Sequence, residues 1–285
     1  MEAPRALRVL LGLALIGLVL LPLAGESLYL QYATRIMIMA IFAMSLDLLL
    51  GYTGLLSLGH ALYYGIAGYA LAMAGRDASV SLWWSLPWAM LLSALAALAV
   101  GAVALRARGV TFAVATLAFA QLTYFIVRGS KYFGGADGKS LDARPSLSLF
   151  GWRPLDLENP LHRYCLTLVL ALATYVLLRK VLRSAFGRAL IGIRDNEPRM
   201  RSLGFPTLRY KLACFSLAGA LAGLAGYLAA LQDGTVNPDQ LGWRRSAEAL
   251  AMVILGGRGT LAGPALGAGA LVLLELAFSS AAGHG

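Results

Sequence analysis

Charged residues are scarce in this chain of 285 residues. Asp, Glu, Lys and Arg make up 13% of it, against roughly 25% in an ordinary soluble domain. Acidic residues are scarcer still, with 14 Asp and Glu against 24 Lys and Arg, which gives a formal net charge of +10. A basic balance can indicate nucleic-acid binding, but here the basic residues stand between apolar segments rather than on a soluble domain. We therefore expect a membrane protein without a nucleic-acid partner.

Residues for metal, redox or acid–base chemistry are equally few. The chain has 3 histidines and 2 cysteines. Cys165 and Cys214 fall in apolar segments without metal-ligand spacing, which is typical of small buried side chains rather than a disulfide. Paired carboxylates, a Ser-His-Asp order and a Cys/His cluster at catalytic spacing are also missing from the sequence. The chain is therefore predicted to be no enzyme and to hold no metal or cofactor.

One glycine-rich stretch has part of a phosphate-binding motif. GGADGKS at 134–140 ends in Gly-Lys-Ser. The complete motif also needs a glycine five residues before the Gly-Lys pair, where this chain has Phe133. We therefore expect the chain itself to bind no nucleotide.

Long apolar runs make up most of the sequence. Several of them reach the roughly 20 residues that cross about 30 Å of hydrocarbon as a helix. The first, from the N-terminus, is interpreted as a retained helix, with cleavage as a signal peptide as the alternative. The sequence predicts an all-α polytopic membrane protein, a single domain over 1–285, with about 8–9 transmembrane or re-entrant helices. The predicted spans are 6–24, 28–50, 55–75, 82–105, 110–128, 162–180, 209–231, 245–256 (short enough for a half-helix) and 261–281.

Basic residues concentrate in one short insert. Residues 179–211 carry nine Lys and Arg against two acids, a difference of +7. Because an excess of Lys and Arg in a short loop marks the cytoplasmic side, this insert is predicted to be cytoplasmic. Alternation of the spans then places the N-terminus inside, the segment 129–161 outside and the C-terminus outside.

Glycine clusters interrupt two apolar segments. GYTGLLSLGH at 51–60 and GGRGTLAGP at 256–264 favour broken or re-entrant segments, which occur in transporters where the backbone lines a cavity. The alternative is close helix packing, which small residues permit. Packing is the better interpretation for Gly219-x-x-x-Gly223 and is also open for Gly263-x-x-x-Gly267.

Ionisable residues inside apolar segments are costly and are usually functional. For the acids among them, Asp47, Glu248 and Glu275, an ion pair or cap is an equal alternative, and for His60 the alternative is a packing histidine. An intramembrane enzyme would require a polar cluster, for example around His60 and Asp47. The candidates for the translocation path are Asp47, Gly54, Ser57, His60 and Glu248.

The basic insert has the signals of two short helices. Ser184 can cap a helix to about Arg194, and Asn196 can cap a second helix. Gly204 suits a left-handed stop. The pattern predicts a compact hairpin on the inner membrane face; the alternative is an amphipathic hairpin that rests on anionic lipid.

Five stretches in order along the chain resemble the permease subunits of ATP-binding-cassette importers for branched-chain amino acids, specifically the LivM type. The urea permease is a close relative of that type. The stretches include LDLLLGYTGLLSLGHALYYGIAGYALA and FGRALIGIRDNEPRMRSLGF, and they cover 46–72, 108–122, 133–138, 186–226 and 237–268.

The resemblance implies a bacterial inner-membrane protein with a cytoplasmic N-terminus. Its partners would be a second permease subunit, two ATPase subunits that use the ATP, and an extracytoplasmic substrate-binding protein. Its substrate would be a branched-chain or similar hydrophobic amino acid, and the alternative substrate is urea or a short amide. A less favoured alternative to the importer is an ion-coupled secondary transporter.

The resemblance also implies which residues couple the permease to the ATPase. These residues lie in a cytoplasmic coupling segment, 181–208, which departs from many members at Pro198 to Arg201. Members usually continue into another span, so this chain, which stops at Gly285, is expected to be truncated or to lack that helix. The implied coupling residues are Arg188, Asp195, Glu197, Arg199 and Gly204.

Overall fold

The computed structural model describes residues 17–18, 21–24, 27–74, 81–141, 144–145, 147–149 and 152–282. The predicted span 6–24 lies largely outside the described residues. Within them the chain forms ten α-helices: α1 Ser27–Leu50, α2 Ala61–Ala74, α3 Leu82–Ala104, α4 Val110–Gly129, α5 Pro160–Arg183, α6 Ala185–Asp195, α7 Glu197–Ser202, α8 Thr207–Asp233, α9 Trp243–Gly256 and α10 Ala262–Ala282.

Four very short strands and three 3-10 helices complete the described structure. The strands form two antiparallel pairs, β1 with β4 and β2 with β3. The strands are β1 Lys139–Ser140, β2 Leu147–Leu149, β3 Trp152–Leu155 and β4 Thr235–Val236, and the 3-10 helices are Leu21–Ala24, Lys131–Phe133 and Pro238–Leu241.

Five of the described helices, α1, α3, α4, α5 and α8, are long and apolar enough to cross a membrane by length and composition. Helices α2 and α9 have 14 residues each, which corresponds to about 21 Å and cannot cross about 30 Å of hydrocarbon. The predicted all-α polytopic fold is confirmed, and α9 is the half-helix that the short segment 245–256 suggested.

Helices α1 and α8 form the centre of the molecule. Inside their apolar windows 83% and 72% of the residues are buried, against 22%, 28% and 17% in α3, α4 and α5. Helix α8 packs against α1, α2 and α3. Because α3, α4 and α5 keep most of their apolar surface exposed, they are the helices available to lipid or to a partner subunit.

The connections collect at two ends of the bundle. At one end, which we call the hairpin end, Arg194 of α6 bonds to Gly51 and Asp47 bonds to Gly259. At the other, which we call the far end, Lys139 pairs with Val236 and joins β1 to β4. The glycine-rich stretch 134–140 runs into β1 there rather than into a helix, unlike a phosphate-binding loop.

The connection from α1 to α2 folds back into the bundle. The predicted span 55–75 starts too early, because residues 51–60 are not helical and α2 begins at Ala61. A Cβ on Gly59 would lie 2.0 Å from the carbonyl oxygen of Thr116, so this part of the connection passes directly against the backbone of α4. The Ala61 amide donates to Ser246 Oγ at 2.9 Å, which joins the starts of α2 and α9. The predicted break at 51–60 is confirmed.

Both spaced glycine pairs lie where helices approach closely. A Cβ on Gly223 of α8 would lie 2.4 Å from Ser93 Oγ of α3. A Cβ on Gly263 of α10 would lie 2.0 Å from the carbonyl oxygen of Gly256 in α9. The packing interpretation is therefore confirmed for both pairs, and the GGRG connection at 256–259 is a tight turn between packed helices as well as a helix break.

The two cysteines have different surroundings. Both are free; Cys214 is buried, but Cys165 is exposed. The expectation of two buried cysteines is wrong for Cys165, because it lies on α5, which buries only a narrow face.

Candidate functional site

The basic insert folds as two short helices at the hairpin end. Ser184 Oγ accepts from the Gly187 amide at 3.4 Å at the start of α6, and Asn196 Oδ1 accepts from the Arg199 amide at 3.0 Å at the start of α7. Gly204 has a φ of +83°, the left-handed conformation that favours glycine after a helix. The sequence pattern of helix, break, helix and turn is confirmed.

An apolar face holds this hairpin on the helix bundle. Helix α6 buries Gly187, Ala189, Leu190 and Ile193. Phe186 of α6 stacks on Tyr210 of α8, with ring centroids 5.5 Å apart. The hairpin therefore packs against its own bundle and leaves a charged face outward.

Glu197 connects α7 to α8. Its Oε2 accepts from Lys211 Nζ at 2.7 Å, and its Oε1 accepts from Arg201 Nη2 at 2.7 Å and from Thr207 Oγ1 at 3.1 Å. The side chains of Glu197 and Lys211 are only 19% and 14% exposed. A largely buried, charge-assisted pair of this kind fixes the angle between two helices far better than an exposed pair.

The ionisation of Glu197 follows from this cluster. Burial alone would raise its pKa, but the hydrogen bond and positive charge of Lys211 and the hydrogen bonds of Arg201 and Thr207 outweigh that effect. The pKa of Glu197 therefore lies below the ordinary value for glutamate. The ion pair of Glu197 with Lys211 is therefore present at neutral pH and is lost only as the pH falls through that lowered pKa.

Arg194 makes a second connection between the hairpin and the bundle, which no pattern in the sequence signals. Its Nη1 donates to the carbonyl oxygen of Gly51 at 2.6 Å, and its Nε donates to Asp195 Oδ1 at 2.9 Å. A Cβ on Gly54 would lie 3.2 Å from Arg194 Cγ. The hairpin is therefore joined both to α8 and to the folded-back connection after α1.

The structure brings the predicted coupling residues together on this hairpin. Arg188, Asp195 and Arg199 are exposed on it, and Gly204 forms the closing turn. Glu197 differs, because both of its oxygens bind residues of the same chain. The spacing of Glu197 and Arg201, four residues apart on one helix, could have signalled their pair. Nothing in the sequence signals Lys211.

We expect Arg194→Gln to loosen the hairpin without unfolding the bundle, because it removes the bond to Gly51 and little buried surface. Amide hydrogen exchange in residues 185–204 should become severalfold faster while α1 and α8 keep their protection. Arg188→Gln is the matched control, since Arg188 bonds only to the Arg183 carbonyl within the described structure. Equal exchange in both variants would contradict the role of Arg194.

The candidates for the translocation path have different hydrogen-bond partners. Asp47 is fully buried at the hairpin end, where its Oδ1 accepts from the Gly259 amide at 2.7 Å. His60 is fully buried between α1 and α2, bonds to Ser45 Oγ at 2.8 Å and stacks on Phe42. Within the described residues Asp47 and His60 thus have separate hydrogen-bond partners. His60 Nδ1 and Asp47 Oδ2 are buried there without a partner.

The remaining candidates have other surroundings. Ser57 is buried in the folded-back connection, and Gly54 has a φ of +71° beside Arg194. Glu248 lies on α9 and pairs with Arg245 at 2.7 Å. Glu275 pairs with Arg35 at 3.0 Å. The alternative of an ion pair therefore holds for Glu248 and Glu275.

Glu248 lines a cavity in the far half of the molecule. The cavity has a volume of about 630 Å³, within the range of small-molecule sites. Its wall is formed by the end of α4, the end of α8, the segment 235–242 and the start of α9. A smaller cavity of about 230 Å³ shares Asp233 and Arg245 with it. Charges of both signs line the larger one: Arg128, Arg244 and Arg245 with Asp233, Asp239 and Glu248.

The chain matches known transport proteins over most of its length. Residues 28–284 match the family described as the permease component of branched-chain amino acid transport systems. The high-affinity branched-chain amino acid transport system permease protein LivM of Salmonella typhimurium is 32% identical over 247 residues, which cover 80% of this chain and 58% of that protein. LivM of Escherichia coli is 31% identical with the same coverage.

A more distant relative is the autoinducer 2 import system permease protein LsrC of Yersinia pestis, 33% identical over 60% of this chain and 47% of LsrC. No solved structure matches. The chain thus spans about half the length of the curated relatives that it matches.

Proposed function

Because this multi-pass membrane chain belongs to the family of permease components of branched-chain amino acid transport systems, we propose that it is a permease subunit of an ATP-binding-cassette importer. The observation that carries the proposal is the basic hairpin, whose outward face is charged and which Glu197 and Arg194 fasten to the bundle. Such a hairpin can transmit a push from a soluble ATPase to the spanning helices.

The proposed complex gives the chain four kinds of contact: a second permease, the ATPases, a binding protein and lipid. The chain forms half of a translocation pore in the bacterial inner membrane with a second permease. Two ATPases bind at the hairpin end and use the ATP, and a binding protein docks at the far end. In this arrangement the N-terminus and residues 181–208 are cytoplasmic, and residues 129–161 are extracytoplasmic. The whole of 1–285 acts as one permease domain within lipid.

The proposed substrate is a branched-chain or similar hydrophobic amino acid. The LivM relatives of Salmonella typhimurium and Escherichia coli, at 32% and 31% identity, support it. The sparse charge of the chain, 13%, also supports it, because a pore that receives its substrate from a binding protein needs few fixed charges.

Transport by reconstituted vesicles tests the function. Vesicles that contain this chain, its partner permease, the ATPases and the binding protein should take up leucine only with ATP. An ATPase variant that cannot hydrolyse ATP should abolish the uptake. Uptake that persists with this variant but collapses with an ion gradient would instead identify a secondary transporter.

Labelling of single cysteines tests the orientation. In a Cys165→Ala background, which removes the exposed native thiol, Ser202→Cys on α7 should resist a membrane-impermeant thiol reagent in intact cells. Ala136→Cys at the far end should react. Both positions are exposed in the structure, so the difference reports the side of the membrane. Labelling of Ser202→Cys in intact cells would overturn the proposed coupling.

A further inference from the structure

The larger cavity has a balanced set of charges. Its three arginines and three acids cannot face lipid at acceptable cost, so the cavity opens to water or to a partner. Part of the charge is already paired: Arg245 bonds to Glu248 at 2.7 Å and lies over the Tyr64 ring. What remains is a positive group around the start of α9 and a negative group on the end of α8 and the segment before α9.

The positive group surrounds the start of α9. This 14-residue helix begins after Gly242 without a side chain to cap its first turn, so its free amides and dipole favour an anion. Arg244 follows in the first turn and is exposed, and within the described part of the chain it makes no ion pair or hydrogen bond. Gln121 also lines the cavity, and its Nε2 is a buried donor for which the described structure offers no partner.

The negative group lies on the segment that leads into α9. Gln240 lines the cavity and is 6% exposed, and its Oε1 is an acceptor without a partner among the described residues. In that part of the chain the Asp239 carboxylate accepts only a long bond of 3.5 Å from the Tyr124 hydroxyl, and Asp233 ends α8 at the same wall. An unpaired buried acceptor costs free energy, which a ligand that donates hydrogen bonds would recover.

Apolar rings complete the wall. Phe125 and Trp243 line the cavity and are 65% and 56% exposed. Exposed aromatic rings beside a few polar groups are typical of sites for small ligands with an apolar part.

We infer that this cavity is a site where a zwitterionic α-amino acid binds during transport. The α-carboxylate binds at the start of α9 with Arg244 and Gln121, the α-ammonium binds Asp239, Asp233 and Gln240, and an apolar side chain rests on Phe125 and Trp243. The inference rests on the proposed function and adds to it the place and the groups that recognise the substrate.

Competition binding tests both charged groups separately. The complex of both permeases and the ATPases is placed in nanodiscs without the binding protein, and binding of radiolabelled L-leucine is measured. Two unlabelled analogues compete with it: leucinamide, which lacks the carboxylate, and 4-methylpentanoate, which lacks the ammonium. Each analogue should bind about tenfold more weakly than leucine, since it loses a charge-assisted contact.

Two variants should each weaken binding of only those ligands that carry the matching charged group. Arg244→Gln should weaken leucine and 4-methylpentanoate about tenfold and leave leucinamide unchanged. Asp239→Asn should weaken leucine and leucinamide and leave 4-methylpentanoate unchanged. Lys131→Gln, an exposed cation at the far end that does not line the cavity, is the matched control and should change nothing.

The outcomes separate this inference from the proposed function. If ATP-driven leucine uptake occurs but neither Arg244→Gln nor Asp239→Asn changes binding of the three probes, the inference is overturned. If no ATP-driven uptake occurs in the wild-type complex but the ligands divide as described, the site stands and the importer does not.

Discussion

Gly267→Ala should strongly destabilise the folded state of this protein, whereas Gly269→Ala, two residues along the same helix, should be tolerated. The Cβ of an alanine at 267 would lie 2.0 Å from the carbonyl oxygen of Met252 and 2.9 Å from the Gly256 amide nitrogen. Both atoms belong to the backbone of α9, so the clash can be relieved only if α9 and α10 separate. We expect a cost of at least about 3 kcal/mol.

Gly269 is the matched control because the same change there makes no clash. Its Cβ would lie 3.8 Å from Ile36 Cγ2, an ordinary contact, and alanine in a helix is favoured over glycine by up to about 1 kcal/mol. Thermal unfolding of the purified chain in detergent, followed by size-exclusion chromatography, measures both variants. A midpoint for Gly267→Ala within about 2 °C of the wild-type value would contradict the close packing.

This packing also supports the hairpin end. The turn between α9 and α10 carries Gly259, whose amide bonds to the fully buried Asp47 of α1, and Gly51 nearby accepts from Arg194. If α10 moves away from α9, the Asp47 contact and then the Arg194 contact lose their geometry. Gly267→Ala should therefore also speed amide exchange in the hairpin.

The sequence predicts the helices well because their cause is local. Apolar runs near 20 residues identify all five long helices to within a few residues. The caps at Ser184 and Asn196 and the left-handed Gly204 are equally local, and the structure confirms them. The predicted span 55–75 starts six residues before α2, because the apolar run does not show where the glycine-rich connection ends and the helix begins.

The candidate site was harder to predict because it depends on contacts across the fold. The sequence singles out Asp47 and His60 as ionisable residues in apolar segments, but it does not show that Asp47 accepts from the Gly259 amide or that His60 bonds to Ser45. The cavity residues Asp233, Asp239 and Arg244 lie at the ends of apolar segments, where sequence alone suggests only solvent exposure. Their grouping requires α4, α8 and α9 to meet, which no spacing in the sequence encodes.

Glu197→Gln should uncouple the importer: ATP hydrolysis should continue while leucine uptake falls about tenfold. The change keeps the shape of the side chain but removes the charge that pairs with Lys211 and Arg201. Lys211 is 14% exposed, so its unpaired ammonium costs about 1.5–3 kcal/mol in the tied arrangement. The joint between α7 and α8 would then give way before the spanning helices move. Uptake and ATP hydrolysis are measured together in reconstituted vesicles.

Lys211→Gln decides whether Glu197 acts within the chain or touches the ATPase directly. If the tie is what matters, Lys211→Gln reproduces the uncoupling, and the double variant is no worse than either single one, because both remove the same interaction. If Glu197 binds the ATPase, Lys211→Gln leaves transport intact, since the Lys211 side chain is largely buried and points to Glu197 at 2.7 Å. Arg209→Gln, an exposed cation on the same helix, is the control for loss of charge alone. Normal coupling in Lys211→Gln would therefore assign Glu197 to the surface that binds the ATPase and would show that its contact between α7 and α8 does not carry the coupling.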